Sequence, residues 1–187
     1  MTLIFVHAQD CEAILLSLGM IEEAYSRYAL EANVAGTNLA TFRAISKKYP
    51  SKPPQDILRR LVDSHPGAAG KWFAAAKDAG LFDVAIDLVR HSPSDPRTLA
   101  RAARDYCTDH PDFAVASGMA ALRWIAQGHG YDITSADVLD AYTSLMQAAH
   151  RAGIDIKGIN DQIREMASGS QPGSRLVRAN LDRHLSS

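Results

Sequence analysis

Apolar residues recur at helical spacing along most of the chain. Ile57, Leu58, Leu61 and Val62 form one such group, and residues 138–146 contain another. Spacings of three and four residues place side chains on one face of an α-helix, whereas β-strands alternate with a period of two. Alternating β-branched runs are scarce here. The pattern therefore predicts an all-α protein.

Glycine and proline divide this pattern at regular intervals. Gly19, Pro50, Gly80 and Pro111 are separated by 31, 30 and 31 residues. Proline suits the first turn of a helix, and glycine suits the position just past its end. One further boundary falls between each pair of marks, near 33–37, 65–68 and 92–95. This regularity predicts repeated helix-turn-helix units.

The repeat register predicts five helical hairpins, which form a helical-repeat domain over residues 1–167. The first helices of the hairpins are expected at 8–18, 37–48, 68–79, 95–109 and 134–151. The second helices are expected at 21–32, 53–64, 82–91, 111–127 and 155–167. Gly153 marks the last turn, and Phe42 and Trp72 occupy equivalent positions that should face the core.

The C-terminal residues have a different composition. Residues 168–174 are rich in Gly and Ser and are expected to form a flexible linker. Residues 175–187 are predicted to form an amphipathic helix, since Leu176, Val177 and Leu181 follow helical spacing. That helix either caps the last apolar face of the repeat or docks on a second copy of the chain, giving a homodimer.

Three stretches resemble known helical repeats. The sequence EEAYSRYA (22–29) resembles the second helix of a tetratricopeptide unit. AGLFDVA (79–85), followed by SPSDP (92–96), resembles that unit's turn, second helix and terminal proline. The period of 30–31 departs from the usual 34, and the first-helix signature is absent, so a HEAT-like solenoid stays open. The resemblance implies a right-handed α-α superhelix, a tetratricopeptide-like solenoid of about five hairpins.

A second resemblance concerns residues 38–50 and 70–106, which are similar to the C-terminal helical region of a family of uncharacterised bacterial proteins. It extends over most of residues 8–152. The resemblance implies a helical fold and no particular activity.

Composition narrows the function classes. Twenty basic and 21 acidic residues give a net charge of -1, which provides no bulk attraction to nucleic acid or to an anionic membrane. Cys11 and Cys107 are far apart in sequence, and no stretch reaches the ~20 apolar residues of a membrane span. We therefore expect a cytoplasmic protein.

Motifs for catalysis or metal binding are weak. His7 and Cys11 have a metal-ligand spacing, but no second pair completes a site. Cys107 precedes His110, yet the end of a helix disfavours a thiolate. The carboxylate pairs at 22/23, 83/87 and 137/140 read as solvated or capping groups, with Asp137 completing a capping box after Thr134. No catalytic residue, metal or cofactor is predicted.

Seven basic residues on the predicted first helices are expected to form a concave stripe. They are Arg43, Lys47, Lys71, Lys77, Arg97, Arg101 and Arg104. First helices of such solenoids line the surface that binds extended peptides, and Arg pairs bidentately with carboxylate or phosphate. The sequence thus favours a protein-interaction scaffold for an acidic peptide or partner. A nucleic-acid-associated module is the alternative. The same residues would also suit a solvated face balanced by nearby aspartates.

Overall fold

The computed structural model describes residues 7–185, and these contain α-helices and no strand. The all-α prediction is confirmed. The helices are α1 (Ala8–Ser17), α2 (Ile21–Ala32), α3 (Asn38–Lys48), α4 (Pro54–Asp63), α5 (Phe73–Asp78), α6 (Phe82–His91), α7 (Pro96–Asp105), α8 (Pro111–Ala126), α9 (Ser135–Ala152), α10 (Ile156–Ser168) and α11 (Ser174–Leu185). No helix in this part of the chain has the length and apolar character needed to cross a membrane.

The helix ends follow the glycine and proline marks. Gly19, Gly80 and Gly153 come after α1, α5 and α9 with φ of 74°, 72° and 66°, in the left-handed region that glycine occupies without steric cost. Pro111 is the first residue of α8, where its missing N–H is not needed. With one exception, the predicted helices agree with the observed bounds to within a few residues.

The exception is the helix predicted over 68–79, which is wrong as a single helix. Ala69–Trp72 form a 3-10 turn, and α5 begins only at Phe73. The cause is the close approach of Gly70 to the chain after α6. The Gly70 N–H donates to Ser92 Oγ over 2.9 Å, and a Cβ on Gly70 would lie 2.3 Å from the Ser92 carbonyl oxygen. This contact fixes the backbone in the tighter turn.

The described residues fall into two compact units. The first comprises 7–67 and 74–81, and therefore α1 to α4 with all of α5 but its first residue. In it α1 packs on α2, and α3 packs on α4. Its core is made of large apolar side chains with almost no exposure: Phe42, Ile45, Tyr49, Ile57, Leu58 and Leu61.

The first unit also buries a carboxylate. Within α1 the buried residue is Glu12, at 1% exposure, whereas Ile14 and Leu18 are exposed at 56% and 66%. Glu12 Oε1 accepts hydrogen bonds from Asn33 Nδ2 (2.7 Å) and the Tyr49 hydroxyl (2.5 Å), and Oε2 accepts one from Lys48 Nζ (2.7 Å). Burial acts to raise the pKa of Glu12, but these donors outweigh it and hold the pKa below its usual range.

The second unit comprises 68–73 and 82–185, in which α7, α8 and α9 all pack on one another. Gly118 lets α8 and α9 approach, since a Cβ there would lie 2.8 Å from Leu145 Cβ. The capping box predicted for α9 is present: the Thr134 N–H donates to Asp137 Oδ2 over 2.8 Å. The predicted core position of Trp72, at 2% exposure, is confirmed, as is that of Phe42 in the first unit.

The predicted linker, 168–174, consists of the end of α10, a short connection and the first residue of α11. Within that connection the Gly173 N–H donates to the Ala126 carbonyl over 3.0 Å. The α11 helix packs on α8, α9 and α10 and buries Val177, Leu181 and Leu185. Its apolar face is therefore already covered by its own unit.

Candidate anion-binding cleft

The predicted basic residues of the first unit lie on α3 and α5. Arg43 forms a two-pronged ion pair with Asp78, from Nε to Oδ2 over 2.9 Å and from Nη2 to Oδ1. The pair lowers the pKa of Asp78. Lys77 is half-buried, whereas Lys47 is exposed and has no ion-pair partner among the described residues.

The predicted basic residues of the second unit lie on α7 and on the 3-10 turn at Ala69–Trp72. Arg97 donates from Nε to Asp137 Oδ1 over 2.6 Å and from Nη2 to the Asp132 carbonyl over 2.8 Å, so it ties α7 to the start of α9. Arg104 pairs with its neighbour Asp105. Arg101 and Lys71 are exposed and lack a carboxylate partner within residues 7–185.

Six of the seven predicted residues divide into two groups. Arg43, Arg97 and Arg104 pair with carboxylates of this chain, while Lys47, Lys71 and Arg101 pair with none among residues 7–185. Three of the seven belong to the first unit and four to the second. The continuous concave stripe therefore stays a prediction.

Most of the histidine, cysteine and carboxylate motifs considered in the sequence contact nearby side chains of the fold. The His110 ring contacts the Phe82 ring at an angle of 40°, with centroids 4.2 Å apart, and Cys107 Sγ lies 3.8 Å from Thr108 Oγ1. Glu22 and Glu23 pair with Lys52 and Arg27. Across the described residues no group of three His, Cys, Asp or Glu side chains is placed to hold a metal ion.

A cleft of about 490 Å³ lies in the second unit between α6, α8 and α10. Its apolar surface comes from Ile86 and Val89 on α6 and from Met119 and Ala120 on α8. Its polar and charged lining consists of Arg90, Arg123, Gln162 and Glu165. The cleft therefore combines an apolar floor with two guanidinium groups.

Arg123 is positioned by the end of α6. Its Nη2 donates to the Val89 carbonyl over 2.7 Å, and the Trp124 indole N–H donates to the same oxygen over 3.0 Å. Carbonyls in the last turn of a helix lack partners within it, and the negative end of the helix dipole favours a cation. The guanidinium also lies over the Trp124 ring, 5.1 Å from its centroid. These contacts fix the Arg123 side chain in the cleft wall.

Arg123 is a half-buried cation without a countercharge. Its Nε is buried and has no hydrogen-bond partner, and it forms no ion pair with any described residue, although Glu165 lines the same cleft. Burial first, and the nearby charge of Arg90 second, lower the pKa of the Arg123 guanidinium. Arg90 itself pairs with Asp87 over 3.1 Å, but both side chains are largely exposed. An anion entering the cleft would meet two cations.

Sequence reasoning missed this cleft. Arg90 and Arg123 lie on second helices, α6 and α8, whereas the predicted stripe lies on first helices. Arg123 and Val89 are 34 residues apart, and no local pattern marks their contact. An arginine in the last turn of a helix is common for electrostatic reasons alone.

Comparisons with protein-family models, with curated proteins and with solved structures find no match to this chain. The tetratricopeptide-like superhelix and the similarity to uncharacterised bacterial proteins therefore stay predictions.

Proposed function

We propose that this chain is a non-catalytic protein-interaction module that binds an acidic segment of a partner protein, and that the cleft of Arg90 and Arg123 receives one of its carboxylates. The observation behind the proposal is the half-buried Arg123 guanidinium, which pairs with no carboxylate among the described residues. A partly desolvated cation is destabilising unless an anion compensates it.

A partner carboxylate would supply that compensation. Guanidinium and carboxylate groups pair through charge-assisted hydrogen bonds, and the Arg123 side chain lines the cleft that such a carboxylate would enter. The apolar floor formed by Ile86 and Met119 suits an aliphatic side chain next to the acidic one. One charge-assisted hydrogen bond contributes about 1.5–3 kcal/mol, which corresponds to roughly tenfold to a hundredfold in affinity.

Two further observations support an acidic partner and a repeat scaffold. Lys47, Lys71 and Arg101 are predicted partner-binding residues that remain exposed and without carboxylates in the described chain. The succession of helices separated by short turns is the arrangement expected of helical repeats, including the tetratricopeptide-like superhelix that forms part of this proposal.

Fluorescence anisotropy of the full chain with a labelled Glu/Leu peptide of about ten residues would test the proposal. We expect Arg123→Gln to weaken binding about tenfold or more, and Arg151→Gln, which removes an exposed arginine on α9 outside the cleft, to change it less than twofold. Arg90→Gln is a second cleft variant on an exposed side chain, for use if Arg123→Gln alters the circular dichroism spectrum.

Two outcomes would contradict the proposal. One is equal peptide affinity for the wild-type chain and both arginine variants. The other is tight binding of single-stranded DNA with affinity that falls steeply as salt rises, alongside no binding of the peptide. The latter would favour the nucleic-acid-associated alternative.

A further inference from the structure

The cleft continues into a second hollow along α6 and α8. The two share Ile86, Arg90 and Ala116 in their walls, so they form one groove within the second unit. The second hollow adds Asp83, Asp87 and Asp112 to the lining, of which Asp87 pairs with Arg90. The groove therefore has the unpaired carboxylates of Asp83 and Asp112 at one end and two guanidinium groups together with Glu165 at the other.

Both helices carry an acidic residue in the first turn and an arginine in the last turn. In α6 an acidic first turn at Asp83 is followed by Arg90 in the last turn, and in α8 Asp112 is followed by Arg123. At about 1.5 Å rise per residue, the opposite charges are roughly 10 Å apart on α6 and roughly 16 Å apart on α8. Asp83 and Asp112 are exposed and have no cationic partner among the described residues.

The floor between these ends is apolar. Ala116 and Ala120 lie one turn apart on α8, and small side chains let another backbone approach closely. Met119 and Ile86 flank them, and methionine adapts its shape to the surface that it meets. The length of roughly 10–16 Å corresponds to about two or three turns of a helix.

We infer that the partner segment whose carboxylate enters the cleft is a short amphipathic helix with a basic N-terminal turn and an acidic C-terminal turn, seated along α6 and α8 with its N-terminus at Asp83 and Asp112. This inference rests on the proposed function and adds the order of charges and the direction of the partner. The partner's basic turn meets the two free aspartates, its acidic turn meets Arg90 and Arg123, and its apolar face covers Ala116 and Met119. The positive end of the partner's helix dipole also lies at the acidic end of the groove.

Two peptides of identical composition would test the direction. One carries two Lys residues in its first turn and two Glu residues in its last turn around a Leu/Ala centre, and the other reverses the charges. The reversed peptide is the better helix by itself, because acidic residues at the N-terminus and basic ones at the C-terminus complement the helix dipole. Any bias from helix stability therefore opposes the expected result.

We expect the full chain to bind the Lys-first peptide about fivefold to tenfold more tightly than the Glu-first peptide. The variant Asp83→Asn/Asp112→Asn should abolish this preference. Asp140→Asn removes an exposed carboxylate outside the groove, on α9, and should preserve the preference.

The other outcomes separate the two proposals. If both peptides bind equally and Arg123→Gln weakens both, the groove direction is wrong while the acidic-segment site stands. If Arg123→Gln weakens neither, the proposed function fails and this inference fails with it. Tighter binding of an extended peptide, with Lys and Glu three residues apart and Pro in its centre, would overturn the helical form of the partner.

Discussion

Replacing Lys48 by Met is expected to destabilise the first unit more than replacing its partner Glu12 by Gln. The reason is their unequal exposure, since the Glu12 side chain is 1% exposed and that of Lys48 is 39% exposed. An ammonium that loses its partner can turn into water. A buried carboxylate that loses its partner cannot.

The expected magnitudes follow from the hydrogen bonds. In Glu12→Gln the amide oxygen keeps the Oε1 position, where Asn33 and Tyr49 both donate, and only the bond from Lys48 is lost. We expect a cost of about 1–2 kcal/mol in the free energy of unfolding. In Lys48→Met the carboxylate stays buried with two neutral donors, and we expect about 2–3.5 kcal/mol. Uptake of a proton by the Glu12 carboxyl limits this cost, because the neutral form can replace the unpaired carboxylate.

This mechanism also predicts a pH dependence. In the wild-type chain the pKa of Glu12 is lowered, so its contribution to stability is complete above the unfolded-chain value of about 4.3 and is lost as the pH falls through the folded value. Without Lys48 the folded pKa rises and the carboxyl protonates more readily. The difference in stability between wild type and Lys48→Met should therefore shrink as the pH falls from 7 toward 4.

Urea unfolding followed by far-ultraviolet circular dichroism would measure the free energies, and hydrogen exchange of peptides from α1 to α3 would assign the change to the first unit. Lys47→Met is the matched control, because Lys47 is the preceding residue in the same last turn but is exposed and unpaired among the described residues. Its cost should stay within about 0.5 kcal/mol. A Glu12→Gln cost at pH 7 equal to or above that of Lys48→Met would refute the reasoning.

Two further substitutions test individual contacts in the second unit. Gly173→Ala places a Cβ 1.8 Å from the Ile125 carbonyl oxygen and should lower the free energy of unfolding by about 1–3 kcal/mol, measured by thermal unfolding. Gly36→Ala is the control, because its Cβ enters open space and should leave stability unchanged. Equal melting temperatures of the two variants would disprove the close contact at Gly173. Asp137→Asn removes the negative charge that pairs with Arg97 and leaves one oxygen where Arg97 and the Thr134 N–H donate to two. It should cost about 1–2 kcal/mol, with Asp140→Asn as a near-silent control. Arg97 first, and Thr134 next, lower the pKa of Asp137. The cost of Asp137→Asn should therefore be complete above about pH 4 and should decline in urea titrations at more acidic pH. A cost that does not change with pH would contradict this prediction.

The helices could be predicted because their ends are chemically marked. A helix that ends in a residue of positive φ, as at Gly80 and Gly153, favours glycine at that position, so the single residue indicates the helix end. The split of the third hairpin's first helix could not be predicted, because it depends on the contact between Gly70 and Ser92. A glycine that admits another backbone has the same appearance in sequence as one that ends a helix.

The candidate site was harder to predict for the same reason. Charge and register single out Arg101, but only tertiary structure shows that Arg43 and Arg97 hold Asp78 and Asp137. Glu12 reads in the sequence as a polar interruption of an apolar run. The fold instead buries Glu12 and exposes Ile14, since three donors from α2 and α3 converge on the carboxylate.

Each of the two units is made of two separate segments of the chain, and this limits how the gene segment for one unit could be exchanged between proteins. Residues 68–73 already belong to the second unit, yet 74–81 return to the first. A gene fragment that ends at Gly67 would lack Asp78, the partner of Arg43, and one that begins at Phe82 would lack Gly70, the donor to Ser92. Neither unit is a continuous stretch of sequence, so recombination at one point cannot transplant either one whole. Such interleaving favours inheritance of both units as a single evolutionary module.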